Sequence, residues 1–549
     1  MKKFAAVICL LCCLHVQAQF VNQLTLKKSF TVHEADSVLT AATGISGIFP
    51  LQYPVNIYKV IYNTVAGDST PTTASGLMAV PVGAPCKVPM MSYQHGTTTK
   101  KNDVPSRFKG EWFIALAAAS KGYVALMPDY LGLGDGPGMH PYQHAQSEAT
   151  CVIDLIRAAK EVIDTMGAAP NDQLFLFGYS QGGHATMAAH QMIQEKFDNT
   201  MHVTASAPMS GAYDMSGVMS DVMVSDSAYP APYYLPYLLL GFNSVYHLFA
   251  QDSDVFTHPY DASIPPLYDG THSGGDIDAI MPQVPKLVMR QDQIDSFVNY
   301  PQTNFFRIKL RESDTYNWTP NSPVRMFYCQ GDHSVLYQNA IVAYQHFKQN
   351  GATMIDTVDV NPTLDHYPCA QFAILGGVYW FDSLTYKPLS STASAVNSTS
   401  SSSPNGSVTA TGVLGNAPYT FNWSTGDTSE TVSNLNAGIY YVTITDRSLC
   451  TTIDSATVQL ISGLQNEVLN NVRIYPNPSR GDVLIENTNA CETISEVNAF
   501  DLTGRQVRTY LLKSGNNVRL LFETETQGIY TLQIKSKSGK ENRLKLTLF

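Results

Sequence analysis

Short apolar runs recur through the first 360 residues, with stretches between them in which apolar residues fall three or four apart. The runs predict strands at Val55–Val65, Gly76–Val82, Val88–Tyr93, Tyr123–Met127, Leu174–Phe177, Val203–Pro208, Val324–Tyr328 and Met354–Val360. Several are continuous rather than alternating, as expected of parallel strands covered on both faces. Between them, Cys151–Met166 places Val152, Ile156, Ala159, Ile163 and Met166 on one face of an amphipathic helix. Gln181–His190 reads as a second helix, rich in small residues near its start. Strands alternating with helices imply an α/β fold with right-handed crossovers.

The alternation fails twice. Between Gly211 and Asn321 the chain turns rich in aromatics, Leu and Pro, as in "YPAPYYLPYLLLGFNSVYHLF" (Tyr229–Phe249). This predicts an insertion over about 212–321 that caps a site at the strand ends while holding a small core of its own. Later, "LSSTASAVNSTSSSSPNGS" is serine-rich and nearly uncharged, so residues 389–406 are expected to form a flexible linker. Beyond it the pattern is strand and turn only. "YTFNW", "TVSNL" and "IYYVTITD" predict a small β-sandwich over 407–462, and a second β unit over 470–549 ends in "GIYTLQIKS" and "RLKLTLF". The expected organisation is an α/β domain over 19–388 followed by two small all-β domains.

Composition sharpens the compartment. The first 18 residues carry Lys2 and Lys3, an apolar run from Phe4 to Leu14 and a Val16-Gln17-Ala18 cleavage site, the proportions of a signal peptide. No later stretch is long and apolar enough to span a bilayer. Cleavage takes the net charge from −11 to −13, which argues against nucleic acid or an anionic membrane surface as partner. Charged residues make up only 14% of the chain, a composition suited to the extracellular space. Cys86, Cys151, Cys329, Cys369, Cys450 and Cys491 remain after cleavage. Sequence does not choose their pairing, and they form no CxxC pair, so no structural zinc is expected.

The chemistry centres on "LFLFGYSQGGHATMAAH" (Leu174–His190): a strand, a Gly-Tyr-Ser-Gln-Gly-Gly turn, then a helix. A sharp strand-to-helix turn with small flanks exposes the serine oxygen at the sheet edge, near the helix N-terminus. Ser180 is therefore the candidate nucleophile, and the N–H of Gln181 faces a developing oxyanion. The plain alternative is a glycine turn in a βα unit. A serine nucleophile needs a base and an acid that orients it, in the chain order Ser, acid, His. His366 in "NPTLDHYPC", a loop before a helical stretch, is the candidate base, with His333 as rival. Asp332 closes the strand "VRMFYCQGD" and is the candidate acid, ahead of Asp356, Asp359 and Asp365. The loop after "VPMMSYQ" supplies a second oxyanion donor, the N–H of Thr97 or alternatively Gly96. His184 and His190 lie on the nucleophile helix, and His184 is expected to pack it. "YLGLGDGPG" lacks the third glycine of a dinucleotide loop, and His140 and His144 lack a zinc-protease context, so no cofactor or metal is expected.

"YQHGT", "PDYLGLG", "GYSQGG", "GDHSVLYQNA" and "DHYPC…YWF" together resemble the secretory lipase family of α/β-hydrolases. The resemblance implies an α/β-hydrolase fold with a cap over an acyl pocket, extracellular hydrolysis of lipid or other acyl esters, and Ser180, Asp332 and His366 as triad. "RIYPNPSRGDVLIE" (Arg473–Glu486), "FDLTGRQV" and "GIYTLQI" resemble the type A sorting domain of the type IX secretion system. This implies export by that machinery, with secretion or attachment at the cell surface. "PYTFNWSTGDTSETVSNLNAGIYYVTITD" resembles an immunoglobulin-like SprB-type repeat. Two other readings stand beside a serine ester hydrolase: a serine peptidase on the same scaffold, and a surface adhesin with an inert hydrolase domain.

Overall fold

β1 (Val21–Phe30), β2 (Val55–Val65) and β3 (Pro71–Pro81) form an antiparallel wing. It continues into β4 (Val88–Gln94), β5 (Val124–Pro128), β6 (Pro170–Tyr179), β7 (Ala205–Met209), β8 (Val324–Tyr328) and β9 (Ile355–Asp359), which run parallel to one another. The spatial order is β1-β2-β3-β5-β4-β6-β7-β8-β9, so β4 and β6 lie side by side at the centre, with Gln94 opposite Gly178. In this computed structural model the described residues are 19–45, 47, 50–461, 469–488, 491–523 and 527–549; the signal peptide read over 1–18 lies outside them.

Helices cover both faces: α1 (Val32–Thr43) and α2 (Phe113–Ser120) on one, α3 (Ala145–Val162) and α4 (Gln181–Lys196) on the other. Alternate residues of β6 feed the two layers. Leu174 and Leu176 pack with Val152, Ile156 and Ala189, whereas Phe175 and Phe177 pack with Ala115, Ala119 and Phe381. Each such side chain, once fully buried, contributes roughly 1.5–3 kcal/mol, so the central strands are rigid mounts for whatever sits at their C-terminal ends. Between β7 and β8 come six short helices: α5 (Val218–Met223), α6 (Tyr234–Tyr246), α7 (Tyr260–Ser263), α8 (Gly274–Asp278), α9 (Gln291–Asn299) and α10 (Phe305–Glu312). Their apolar faces form a core around Met219, Leu238, Phe242, Phe256, Phe297 and Leu310. α11 (Gln338–Gln349) and α12 (His366–Leu384) follow β8 and β9.

Three elements depart from the sequence reading. The helix expected from Cys151 begins at Ala145, because Ser147 and Glu148 are polar yet buried and break the apolar period. β1 is a half-polar edge strand whose weak alternation gave no signal. Ser390–Val396, expected to lie in a flexible linker, is a strand paired beside Gly406–Val413. Serine-rich composition suggested a linker, but its alternating Ser, Thr, Ala and Val suit a solvated sheet edge.

Loops 412–419 and 445–452 belong to the same compact unit as the nine-stranded sheet, and Cys450 is disulfide-bonded to Cys86 there. The second unit is all β. Its last part comprises two four-stranded sheets, one centred on Asp482–Asn487 and Asn517–Phe522, the other on Ile494–Phe500 and Gly528–Ser536. Val483, Ile485, Leu520, Leu532 and Ile534 fill the core between them. Among the described residues no helix is long and apolar enough to cross a membrane.

Candidate active site

β6 ends at Tyr179 and α4 begins at Gln181, so the chain turns from strand to helix on Ser180 alone. Ser180 takes φ 60° and ψ −121°, a conformation that costs free energy in any residue with a Cβ. Close packing imposes it. A Cβ on Gly178 or Gly182 would collide with the carbonyl oxygen of Gln94. The Ser180 N–H donates to the Met209 carbonyl at 2.9 Å, which ties the turn to β7.

His366 Nε2 lies 2.8 Å from Ser180 Oγ, and His366 Nδ1 lies 2.7 Å from Asp332 Oδ2. All three residues are buried. Asp332 Oδ1 accepts the N–H groups of Ser334 and Val335 at 2.9 and 2.8 Å, so the carboxylate is fixed by its own loop. Facing a carboxylate, Nδ1 donates, which leaves Nε2 as the acceptor for the serine hydroxyl. His366 is the first residue of α12 rather than part of a preceding loop, because Asp365 caps the helix there and accepts the His366 N–H at 2.8 Å. The Tyr179 hydroxyl donates to the His366 carbonyl at 2.5 Å. A disulfide joins Cys329, at the end of β8, to Cys369 in the first turn of α12. The rivals lie elsewhere: His333 is exposed, Asp365 is the cap and also accepts the His333 N–H, and Asp356 pairs with Arg325 at 3.0 Å.

The loop His95–Thr97 follows β4 and shares a cavity of about 180 Å³ with Ser180, His366, Tyr234 and Glu111. Gly96 N–H donates to Glu111 Oε2 at 3.2 Å. The Tyr130 hydroxyl donates to the His95 carbonyl at 3.0 Å, and the Thr97 hydroxyl lies 3.1 Å from that of Tyr142. Burial holds the Glu111 carboxyl above the usual range, against the opposing pull of His95 and the Gly96 N–H. Nothing in "FKGEWFIAL" flagged Glu111, because its partner is 15 positions away in sequence.

Beneath the nucleophile helix lies a buried polar cluster that sequence reasoning also missed. Gln181 Nε2 donates to Glu148 Oε1 and to His140 Nε2, both at 2.7 Å. His184 Nδ1 donates to Glu148 Oε2 at 2.6 Å, and its Nε2 donates to the Ser313 carbonyl at 2.8 Å. Both nitrogens of His184 face acceptors, an arrangement that favours the imidazolium. Burial opposes that charge most strongly, but the Glu148 carboxylate, the Ser313 carbonyl and Asp314 together outweigh it and raise the pKa above 6.5. His140 is the opposite case: burial lowers its pKa to about 3, and its Nδ1 donates to the Leu131 carbonyl at 2.8 Å. The neutral ring leaves Nε2 free to accept from Gln181. His144 contacts Ser147 and Tyr246 instead. Among the described residues no group of three His, Cys, Asp or Glu side chains is placed to hold a metal ion.

Under the cap a second cavity, of about 40 Å³, is lined by Met215, Met219, Met223, Leu235 and Leu238. Tyr234 lines both this cavity and the one at Ser180.

The sheet order and the sharp strand–Ser180–helix turn define an α/β-hydrolase. Comparison with known proteins narrows the class. The Secretory lipase family model matches residues 106–223, and the Secretion system C-terminal sorting domain matches residues 473–546. A hydrolase candidate from Legionella pneumophila is 30% identical with a TM-score of 0.62, over 66% of this chain and 98% of that one. The rice cell wall degrading esterase LipA from Xanthomonas oryzae is 25% identical with a TM-score of 0.59, over 66% of this chain and 97% of that one. No curated protein matches the chain. The chain belongs to the secretory lipase family, a group of lipase/esterase hydrolases, and carries a type IX sorting domain at its C-terminus. That domain directs it to the type IX machinery, for secretion or attachment at the cell surface.

Proposed function

We propose that the chain is a secreted serine ester hydrolase that works through an acyl-enzyme on Ser180. His366 Nε2 removes the hydroxyl proton as Ser180 Oγ attacks the ester carbonyl, then returns it to the departing alcohol oxygen. Water, activated by the same nitrogen, releases the acid and restores Ser180. Asp332 holds the tautomer and stabilises the imidazolium. The N–H groups of Gln181 and Thr97 receive the oxyanion. Thr97 is preferred to Gly96 because the Gly96 N–H is engaged by Glu111. The Met- and Leu-lined cavity behind Tyr234 suits the acyl group, and residues 407–462 are read as an immunoglobulin-like SprB-type repeat that serves spacing or adhesion.

The observation that carries this reading is the unbroken pair of contacts from Asp332 to His366 to Ser180, at 2.7 and 2.8 Å on a strained turn. The test is Ser180→Ala on p-nitrophenyl esters. Turnover is expected to drop at least about a thousandfold; a variant as active as the parent overturns the proposal.

A further inference from the structure

Gln181 enters the reaction above through its main chain, yet its side chain is also held in place. It is fully buried, and both carboxamide hydrogens are committed, one to Glu148 Oε1 and one to His140 Nε2, each at 2.7 Å. The amide orientation is fixed by its neighbours. The Leu131 carbonyl takes the Nδ1–H of His140, which makes His140 Nε2 an acceptor, and Glu148 offers only acceptors. The reverse orientation would set the Gln181 oxygen against two acceptors. In the observed one that oxygen has no hydrogen-bond partner although it is buried. A glutamine kept at such cost is held for its donors, and those donors hold the first residue of α4.

Glu148 is only 1% exposed and completes the arrangement. A carboxylate alone in this position would place a negative charge behind the site where negative charge develops in the transition state. Its second oxygen is instead taken by His184, one turn further along the same helix, whose other nitrogen donates to the Ser313 carbonyl. The pair is neutral as a unit. The helix end therefore keeps its favourable dipole toward an anion, while the glutamine keeps its anchor.

We propose that Glu148 is a positioning residue for the oxyanion hole: it fixes Gln181, whose main-chain N–H faces the developing oxyanion, while His184 cancels the carboxylate charge. The inference rests on the serine ester hydrolase reading and adds a determinant of its rate. Glu148 does not touch substrate, so its removal acts on the transition state rather than on ground-state binding.

The test is Glu148→Met, which keeps a side chain of similar length and removes both the charge and the acceptor of Gln181, with kcat referred to the serines titrated by a fluorophosphonate so that misfolded molecules do not count. Titrated kcat is expected to fall about tenfold or more with KM within about twofold. Affinity for an alkyl boronic acid, whose serine adduct is an anionic tetrahedron, is expected to fall by the same factor. Gln181→Met removes the anchored amide but leaves the Glu148–His184 pair, so it gives the same loss and serves if Glu148→Met does not fold. Combining the two adds little to either alone. A parental titrated kcat and boronate affinity in either single variant overturns the positioning role. Activity surviving in Ser180→Ala overturns the hydrolase reading itself, a separate result.

Discussion

Cys329 and Cys369 are disulfide-bonded, and the bond brackets the acid and the base: Cys329 lies three residues before Asp332, and Cys369 three after His366. The cross-link thus joins the strand end that carries the carboxylate to the helix start that carries the imidazole. Opening a loop of 40 positions removes roughly 3–4 kcal/mol of chain-entropy stabilisation. Replacing both cysteines by serine is expected to lower the thermal midpoint of the hydrolase unit and to reduce kcat more than it raises KM. An unchanged kcat in the folded variant would mean that Asp365 and Tyr179 suffice to hold the histidine.

Glu111 makes a prediction in two parts. Glu111→Ala removes the acceptor of the Gly96 N–H, and kcat/KM is expected to fall about tenfold, the scale of one hydrogen bond to a charged group. Glu111→Gln keeps an acceptor and loses the charge. The parent carboxyl ionises above its usual range, so its negative charge appears beside the nucleophile as pH rises through that raised value. The rate ratio of Glu111→Gln to parent is therefore expected to climb with pH. A flat ratio between about pH 4 and 8 excludes that effect.

His184 should be visible in the stability of the fold. Its folded pKa is raised above 6.5, so the folded state holds the proton more tightly than the unfolded chain. That contribution is complete below 6.5 and is lost as pH climbs through the folded value. Glu148, Asp314 and His144 are the ionisable groups that face it. Urea midpoints at about pH 6 and 8.5 are expected to drop more in the parent than in His184→Gln. Equal drops in the two proteins would place the alkaline loss elsewhere.

Tyr234 stands between the polar cavity at Ser180 and the apolar cavity under the cap. Tyr234→Ala is expected to raise the octanoate-to-acetate ratio of kcat/KM by about tenfold, since a few buried methylenes are worth that much in discrimination. Competition between the two nitrophenyl esters in one reaction measures the ratio directly. No change in it would place the acyl chain in another groove.

The central strands and the elbow were legible because buried parallel strands leave uninterrupted apolar runs and because only glycine fits at Gly178 and Gly182. Ser180, Asp332 and His366 could be nominated from chain order and strand ends, and the fold brings those three side chains into contact. Glu111, Glu148 and the role of His184 were not legible. Each depends on a partner far away in sequence, and a buried polar residue disturbs the very periodicity by which a helix is recognised. Glu148 lies in the turn of α3 that the apolar pattern left out. The strand at Ser390–Val396 shows the converse failure, in which composition outweighed an alternation that was present in the letters.

The bond between Cys86 and Cys450 closes a covalent ring across 364 positions of sequence, and Ser180, Asp332 and His366 all lie on it. A ring can be cut once without falling into pieces. Any single proteolytic nick between those cysteines leaves one molecule of unchanged mass plus a water, with both new ends still tethered. For an exported protein, a first cleavage is thus not a loss of parts, and only reductant or a second cut frees a fragment.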